Sequence, residues 1–166
     1  MRTLITMMGR SIWGLFNSVW ASVRAYDYLP DRVYILTAGC DKPSAEKAAA
    51  MIRILLQESD SKGEVMLRII PEEDVVAVAD EVRAICTEER RSGNEVSLDV
   101  TPGTKVTVLG SVITGMARNE FQNIFYLYIE DLRNAARPYL EIPLMLQHPH
   151  EILREVKGKR NEGGRA

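Results

Sequence analysis

An α/β three-layer sandwich around a mainly parallel central sheet is the fold this sequence predicts, and three observations predict it. Short β-branched runs alternate with longer segments of helical periodicity through nearly the whole chain. The first run, Leu4 to Met8, is apolar without alternation, as expected of a strand covered on both faces. The run Val96 to Val100 breaks at Thr101-Pro102-Gly103 and restarts at once as an apolar-periodic helix over Val106 to Met116.

Composition bounds the remaining choices. With 166 residues the chain is one domain's length, since domains commonly run roughly 100 to 200 residues. Its 46% hydrophobic content is enough for a sizeable core, and a net charge of −2 argues against general binding to duplex DNA or membrane surfaces. An anionic ligand would have to be held by a local cluster. Cys40 and Cys86 lack the partner spacing of a zinc site or a disulfide framework, so no metal or cofactor is expected. No run approaches the roughly 20 apolar residues of a membrane span, and the N-terminus lacks a signal-cleavage pattern. The expectation is a soluble, cytoplasmic protein.

After the first strand, Gly9-Arg10-Ser11 ends the run and a helix follows from Ile12 to about Ala25. Ile12, Phe16, Val19 and Val23 form one stripe, with Trp13 and Trp20 beside it as core or subunit-contact residues. So wide an apolar surface calls for a second contact besides the sheet. Arg32 to Thr37 is the second strand, and Ala38 to Lys42 a loop. Pro43 suits the first turn of the next helix, striped by Ala48, Met51, Ile52, Leu55 and Leu56. Glu64 to Ile70 is the third strand. Pro71-Glu72-Glu73-Asp74 opens the third helix with acids in its first turn, and Val75, Val78, Ala79, Val82, Ile85 and Cys86 face inward. Arg90-Arg91-Ser92-Gly93 ends it.

Glu95 to Val100 is the fourth strand, and the helix after it uses Val106, Leu109, Val112, Ile113 and Met116 as its apolar stripe, while Gly110 and Gly115 weaken it by roughly 1 kcal/mol each relative to alanine, which close packing would compensate. Asn123 to Ile129 is the fifth strand. Tyr139 to Leu146 is read as an edge strand, because Pro143 cannot serve a central ladder. The domain is placed at residues 1–150, and residues 151–166 form a polar tail, disordered from about Lys157.

Ligands of such sheets bind beyond the carboxyl ends of the strands, where the strand order reverses. An order of 3-2-1-4-5 plus an edge strand would set Gly9-Arg10-Ser11 beside Thr101 to Lys105, with Arg10, Ser11, Thr104 and Lys105 in one crevice. The helix start at Thr104-Lys105 offers unpartnered N–H groups and about half a positive charge from the helix dipole. Gly103 allows close approach, Thr104 a hydrogen bond, and Lys105 a full charge. A P-loop is a poor match, because Gly103 lies two positions before Lys105 and Val106 stands where a Mg²⁺-binding hydroxyl belongs.

The first strand ending in Gly9-Arg10-Ser11, the early helix Ile12-Trp13-Gly14-Leu15-Phe16-Asn17 and the segment Asp99 to Lys105 together resemble the CARF family, the CRISPR-associated Rossmann-fold domains, over residues 1–150. The resemblance implies a Rossmann-like sandwich and a homodimer that binds cyclic oligoadenylate, most often the tetra-adenylate ring, across its axis. Matching the family's loops assigns Gly9, Arg10, Ser11, Thr101, Gly103, Thr104 and Lys105 to the ligand. Pro102 departs from the commoner Thr-Gly-Gly and removes one N–H donor. Few residues follow the domain, so a stand-alone protein resembling ring nucleases is expected. The implied chemistry is metal-independent attack of a ribose 2′-OH on the adjacent phosphorus, which positioned donors can promote. Lys105 is assigned to charge stabilisation, and Ser11 and Thr104 to orienting the reacting groups. The alternative is a sensor or sponge that binds the ring and acts through a separate partner. His148-Pro149-His150 reads as a surface feature, and Asp99 is open between tying the loop and touching the ligand.

Overall fold

In the computed structural model, which describes residues 1–59, 61–71 and 73–162, six strands make one sheet. They are β1 (Arg2–Met7), β2 (Arg32–Thr37), β3 (Glu64–Ile69), β4 (Glu95–Asp99), β5 (Ile124–Ile129) and β6 (Gln147–Glu151). Their order is β3-β2-β1-β4-β5-β6, with the first five parallel and β6 antiparallel to β5. Helices α1 (Ile12–Tyr26) and α2 (Lys42–Glu58) cover one face; α3 (Val75–Arg91) and α4 (Lys105–Arg118) cover the other. Strand β1 is buried on both sides: Leu4 joins Val33, Ile35 and Val65 under α1 and α2, while Ile5 and Met7 join Tyr34, Leu36 and Leu98 under α3 and α4. That is why its sequence shows no alternation. None of the described helices is long and apolar enough to cross a membrane.

Several elements depart from the expectation. Tyr139–Glu141 and Leu144–Leu146 are 3₁₀ turns, and the edge strand is β6, which carries Pro149. Gln147 holds the turns down, its Nε2 donating to the carbonyls of Tyr139 at 3.0 Å and Ile142 at 2.6 Å. The proline at the sheet edge is thus Pro149, while Pro143 precedes a 3₁₀ turn. The tail expected to be disordered from Lys157 instead begins as a helix, α5 (Ile152–Glu162); residues 163–166 lie outside the described residues. Helix α3 starts after the acids, with Asp74 as its cap, accepting from the N–H groups of Val76 and Ala77. Val75 is consequently exposed. The second contact of α1 lies within the chain: Trp20 stacks on Tyr139 at 6.1 Å, and Asn17 Nδ2 donates to the Arg137 carbonyl at 2.8 Å.

The largest departure concerns α4, whose orientation is the reverse of the expected one. Thr107, Gly110, Ser111, Thr114 and Gly115 are buried, whereas Leu109, Ile113 and Met116 are more than half exposed. Small residues let the helix sit close to α3 and the sheet. A Cβ on Gly110 would meet the Val75 carbonyl oxygen at 3.1 Å, and the space beside Gly115 is filled by the Phe121 ring. Ser111 and Thr114 satisfy their hydroxyls on the carbonyls of Thr107 and Gly110, one turn back.

Candidate functional site

Strands β1 and β4 are neighbours in parallel register from Arg2↔Glu95 to Ile5↔Leu98, so the turns that follow them leave the sheet at the same edge. Helix α1 then returns over one face and α4 over the other, which opens a crevice between them. The two turns touch backbone to backbone. A Cβ on Gly9 would meet the Gly103 nitrogen at 2.8 Å, and one on Gly103 would meet Thr107 Oγ1 at 2.9 Å and Met7 at 3.0 Å. Gly103 also has φ of 98°, a conformation that favours glycine. Pro102 is buried beneath Gly9, so it shapes the floor of the crevice.

The crevice holds a cleft of about 680 Å³. All the predicted site residues line it: Gly9, Arg10 and Ser11 from the first turn, and Thr101, Gly103, Thr104 and Lys105 from the second. Gly14 and Asp41 line it too. Asp41 comes from the turn after β2, the strand beside β1 on the other side, in the segment expected to be a loop. The signal was available: in a parallel sheet every strand's carboxyl end reaches the same edge.

Three helices begin here, with Ser11, Asp41 and Thr104 as the N-caps of α1, α2 and α4. Ser11 Oγ accepts from Gly14 N at 3.3 Å, and Thr104 Oγ1 from Thr107 N at 3.3 Å. Ser11 Oγ thus keeps its hydrogen to donate, whereas Thr104 Oγ1 also lies 3.3 Å from Thr107 Oγ1, whose own hydrogen goes to the Thr104 carbonyl at 2.9 Å. Between the caps lie helix-start N–H groups, which together with the dipoles make the cleft an anion site. Arg10 and Lys105 are exposed at its rim, and among the described residues neither is engaged in an ion pair or a side-chain hydrogen bond. Thr101 is differently occupied, since its Oγ1 accepts from Leu127 N at 2.8 Å and thereby fastens the turn to β5.

Asp99 settles on the structural side of the two roles left open. It is 1% exposed, with Oδ2 accepting from Thr6 Oγ1 at 2.8 Å and Ser18 Oγ at 2.5 Å, and Oδ1 from Thr101 N at 3.0 Å. One side chain thus ties β1, α1 and the second turn together under the cleft. Burial pushes its carboxyl above the ordinary aspartate value, against the opposing pull of the bonds from Ser18, Thr101 and Thr6. Thr6 and Ser18 went unnoticed in the sequence, although a hydroxyl on a buried strand and another on an apolar helix face each call for a partner.

No protein-family model and no curated protein matches the sequence. Among solved structures, the fold is similar to that of Enterococcus italicus Csm6 bound to cyclic hexa-2′-fluoro-hexa-dAMP, at 20% identity and a TM-score of 0.60 over 98% of this chain and 44% of that one. Can2 from Sulfobacillus thermosulfidooxidans, in complex with cyclic tetra-adenylate, is similar at 17% identity and a TM-score of 0.57 over 76% of this chain and 32% of Can2. A type III CRISPR defence DNA nuclease activated by cyclic oligoadenylate matches at 19% identity and a TM-score of 0.57 over 77% of this chain and 19% of the nuclease. The chain thus spans less than half the length of each of these proteins. At these identities the likeness establishes architecture alone: this chain has the Rossmann-like α/β fold that was expected.

Proposed function

We propose that this chain is a CARF domain of type III CRISPR defence that binds a cyclic oligoadenylate, with the tetra-adenylate ring as first choice, and slowly cleaves it to linear products ending in a 2′,3′-cyclic phosphate, switching the signal off. One observation carries the reading. The glycine turns after β1 and β4 pack together at the switch point, and three helix starts surround the cleft above them with two cations that have no ion pair among the described residues. Donors and cations concentrated in a protein of net charge −2 suit a compact polyanion. Can2 and Csm6, which share the fold, were solved with cyclic adenylate rings.

A homodimer fits the reading, and α4 supplies the surface for it. Val106, Leu109, Ile113 and Met116 form an exposed apolar stripe on the helix that starts at the cleft with Lys105. Packing that stripe against its copy around a two-fold axis would join two clefts and present each cation twice. Ile113→Glu is expected to yield a monomer by analytical ultracentrifugation with ring affinity sharply reduced. A variant that stays dimeric removes α4 from the interface.

A second reading, a sensor that binds the ring without chemistry, is favoured by the capping duties of Ser11 and Thr104, which restrict both hydroxyls. Incubating the pure protein with cyclic tetra- and hexa-adenylate and resolving the products by chromatography separates the two. Linear products are expected. Tight binding with the ring intact selects the sensor, and absence of binding rejects both.

A further inference from the structure

We propose that Asp41 is the acceptor for the ligand's ribose 2′-hydroxyl, taking its hydrogen bond on binding and its proton on cleavage. The inference rests on the reading of the cleft as a cyclic oligoadenylate site and adds a residue that neither the sequence motif nor the fold supplies.

Asp41 stands where an aspartate ordinarily caps a helix, yet its side chain makes no capping bond. A cap accepts from the second or third helical N–H; the second position of α2 is Pro43, which has none, and the Asp41 backbone, at φ −93° and ψ 1°, lacks the extended conformation that aims a cap's side chain at the third. Lys42 offers no ion pair either, being turned to Glu46 at 3.8 Å. Among the described residues the Asp41 carboxylate has no hydrogen-bond or ion-pair partner, and it lines the cleft with Arg10, Ser11 and Lys105.

It is also the one carboxylate among the lining residues. Arg10, Lys105 and the helix-start N–H groups only donate, and the Ser11 hydroxyl has a hydrogen left to give. A bare carboxylate in such a place repels phosphate unless it faces a hydrogen on the ligand. In a ribonucleotide ring, the hydrogen adjacent to each phosphate is that of the 2′-hydroxyl. Cations and N-termini that hold the phosphate, with one acceptor beside them, match the pair of groups that must react.

The step balances within the cleft. The 2′-hydroxyl proton passes to the Asp41 carboxylate as the 2′-oxygen bonds to the adjacent phosphorus. The bond from phosphorus to the 5′-oxygen breaks, and that oxygen takes a proton from the Lys105 ammonium. The products are a 2′,3′-cyclic phosphate and a 5′-hydroxyl, and Asp41 returns its proton to Lys105 through solvent.

The test uses the full chain as wild type and as Asp41→Asn, each with cyclic tetra-adenylate and with its 2′-fluoro counterpart, which has no hydrogen to donate. Affinities are read by calorimetry and products by chromatography, after thermal melts confirm that the variant is folded. Wild type should prefer the hydroxyl ring by about tenfold or more, the worth of a hydrogen bond to a charged group. In Asp41→Asn, whose amide Oδ1 still accepts but carries no charge, that preference should shrink to about a few-fold at most, with the fluoro ring bound at least as tightly as by wild type. Cleavage of the hydroxyl ring should fall by about 100-fold or more, as when a general base is lost. Because the preference is compared between variants, the fluorine's own effect on the sugar cancels. An unchanged preference overturns the proposal even where wild type binds without cleaving. Wild type that binds neither ring overturns the cyclic-oligoadenylate reading itself, and the assignment of Asp41 with it.

Discussion

The two ends of the sheet each bury a carboxylate, and the two carboxylates are treated in opposite ways. At the amino end, Glu89 of α3 is 0% exposed and accepts from Arg32 Nη1 at 2.7 Å, Asn94 Nδ2 at 2.7 Å, Tyr34 OH at 2.9 Å and Thr3 Oγ1 at 2.9 Å. Burial alone would raise its pKa, but these four donors together, Arg32 foremost, hold it at about 2. At the carboxyl end, Asp99 is as deeply buried but receives only hydroxyl and N–H donors, and its pKa is raised. The same strand serves both, with Thr3 donating at one end of β1 and Thr6 at the other. The difference lies in where the cations go. Arg32 is turned inward to Glu89 and steadies the fold; Arg10 and Lys105, without an ion pair among the described residues, line the cleft.

Substitution at the amino end should therefore have the largest effect on stability. Glu89→Ala removes the acceptor of four donors and is expected to cost about 3 kcal/mol, the lower figure for breaking a buried pair, because Arg32 retains Glu64 at 3.2 Å. Denaturant unfolding measures it. Lys105→Ala should shift the same unfolding curve by less than about 0.5 kcal/mol, as surface changes do. Its effect belongs to the ligand: affinity for cyclic tetra-adenylate is expected to fall by about tenfold or more, with loss of the charge that stabilises the transition state. Comparable destabilisation by the two variants would break the division between a stabilising end and a binding end.

How far this division could be read from sequence depends on what kind of signal carried each part. Strand order and the meeting of the two turns were legible, because β-branched runs, turn residues and the rule of right-handed crossovers act locally or through topology. The face of α4 was not. Hydrophobic periodicity pointed Leu109, Ile113 and Met116 inward, whereas close packing against α3 selects small side chains. Thr107, Gly110, Ser111, Thr114 and Gly115 recur at spacings of three and four, so a small-residue stripe was present beside the apolar one. Asp41 was legible through topology alone: the turn after β2 has no motif, and it is the sheet that brings it to the cleft. The misplaced edge strand turned on which proline was chosen, and nothing in the local sequence separates Pro143 from Pro149.

The smallest expected effect tests the carboxyl end most finely. Ser18 has one hydroxyl hydrogen, yet its Oγ lies 2.8 Å from the Leu15 carbonyl oxygen and 2.5 Å from Asp99 Oδ2. Ser18 can donate to only one of the two acceptors at a time, so Asp99 has fewer donors than contacts and its charged form is incompletely compensated. The raised pKa of Asp99, caused first by burial, points the same way. For a carboxyl whose folded pKa is raised, the stabilising contribution is complete below the unfolded value of about 4 and is lost as pH rises through the folded one. Glu89 behaves in the reverse sense, its contribution present above about 4.5 and lost as pH falls toward 2. An amide copies the neutral acid, so Asp99→Asn should lie within about 1 kcal/mol of wild type at pH 4. As pH rises from 4 to 7 the balance should move in favour of the variant, read from urea unfolding of both proteins across that range. A difference that does not change with pH would mean that Asp99 ionises in the folded protein as it does in the unfolded chain, and the contrast between the two ends would then rest on Arg32 alone.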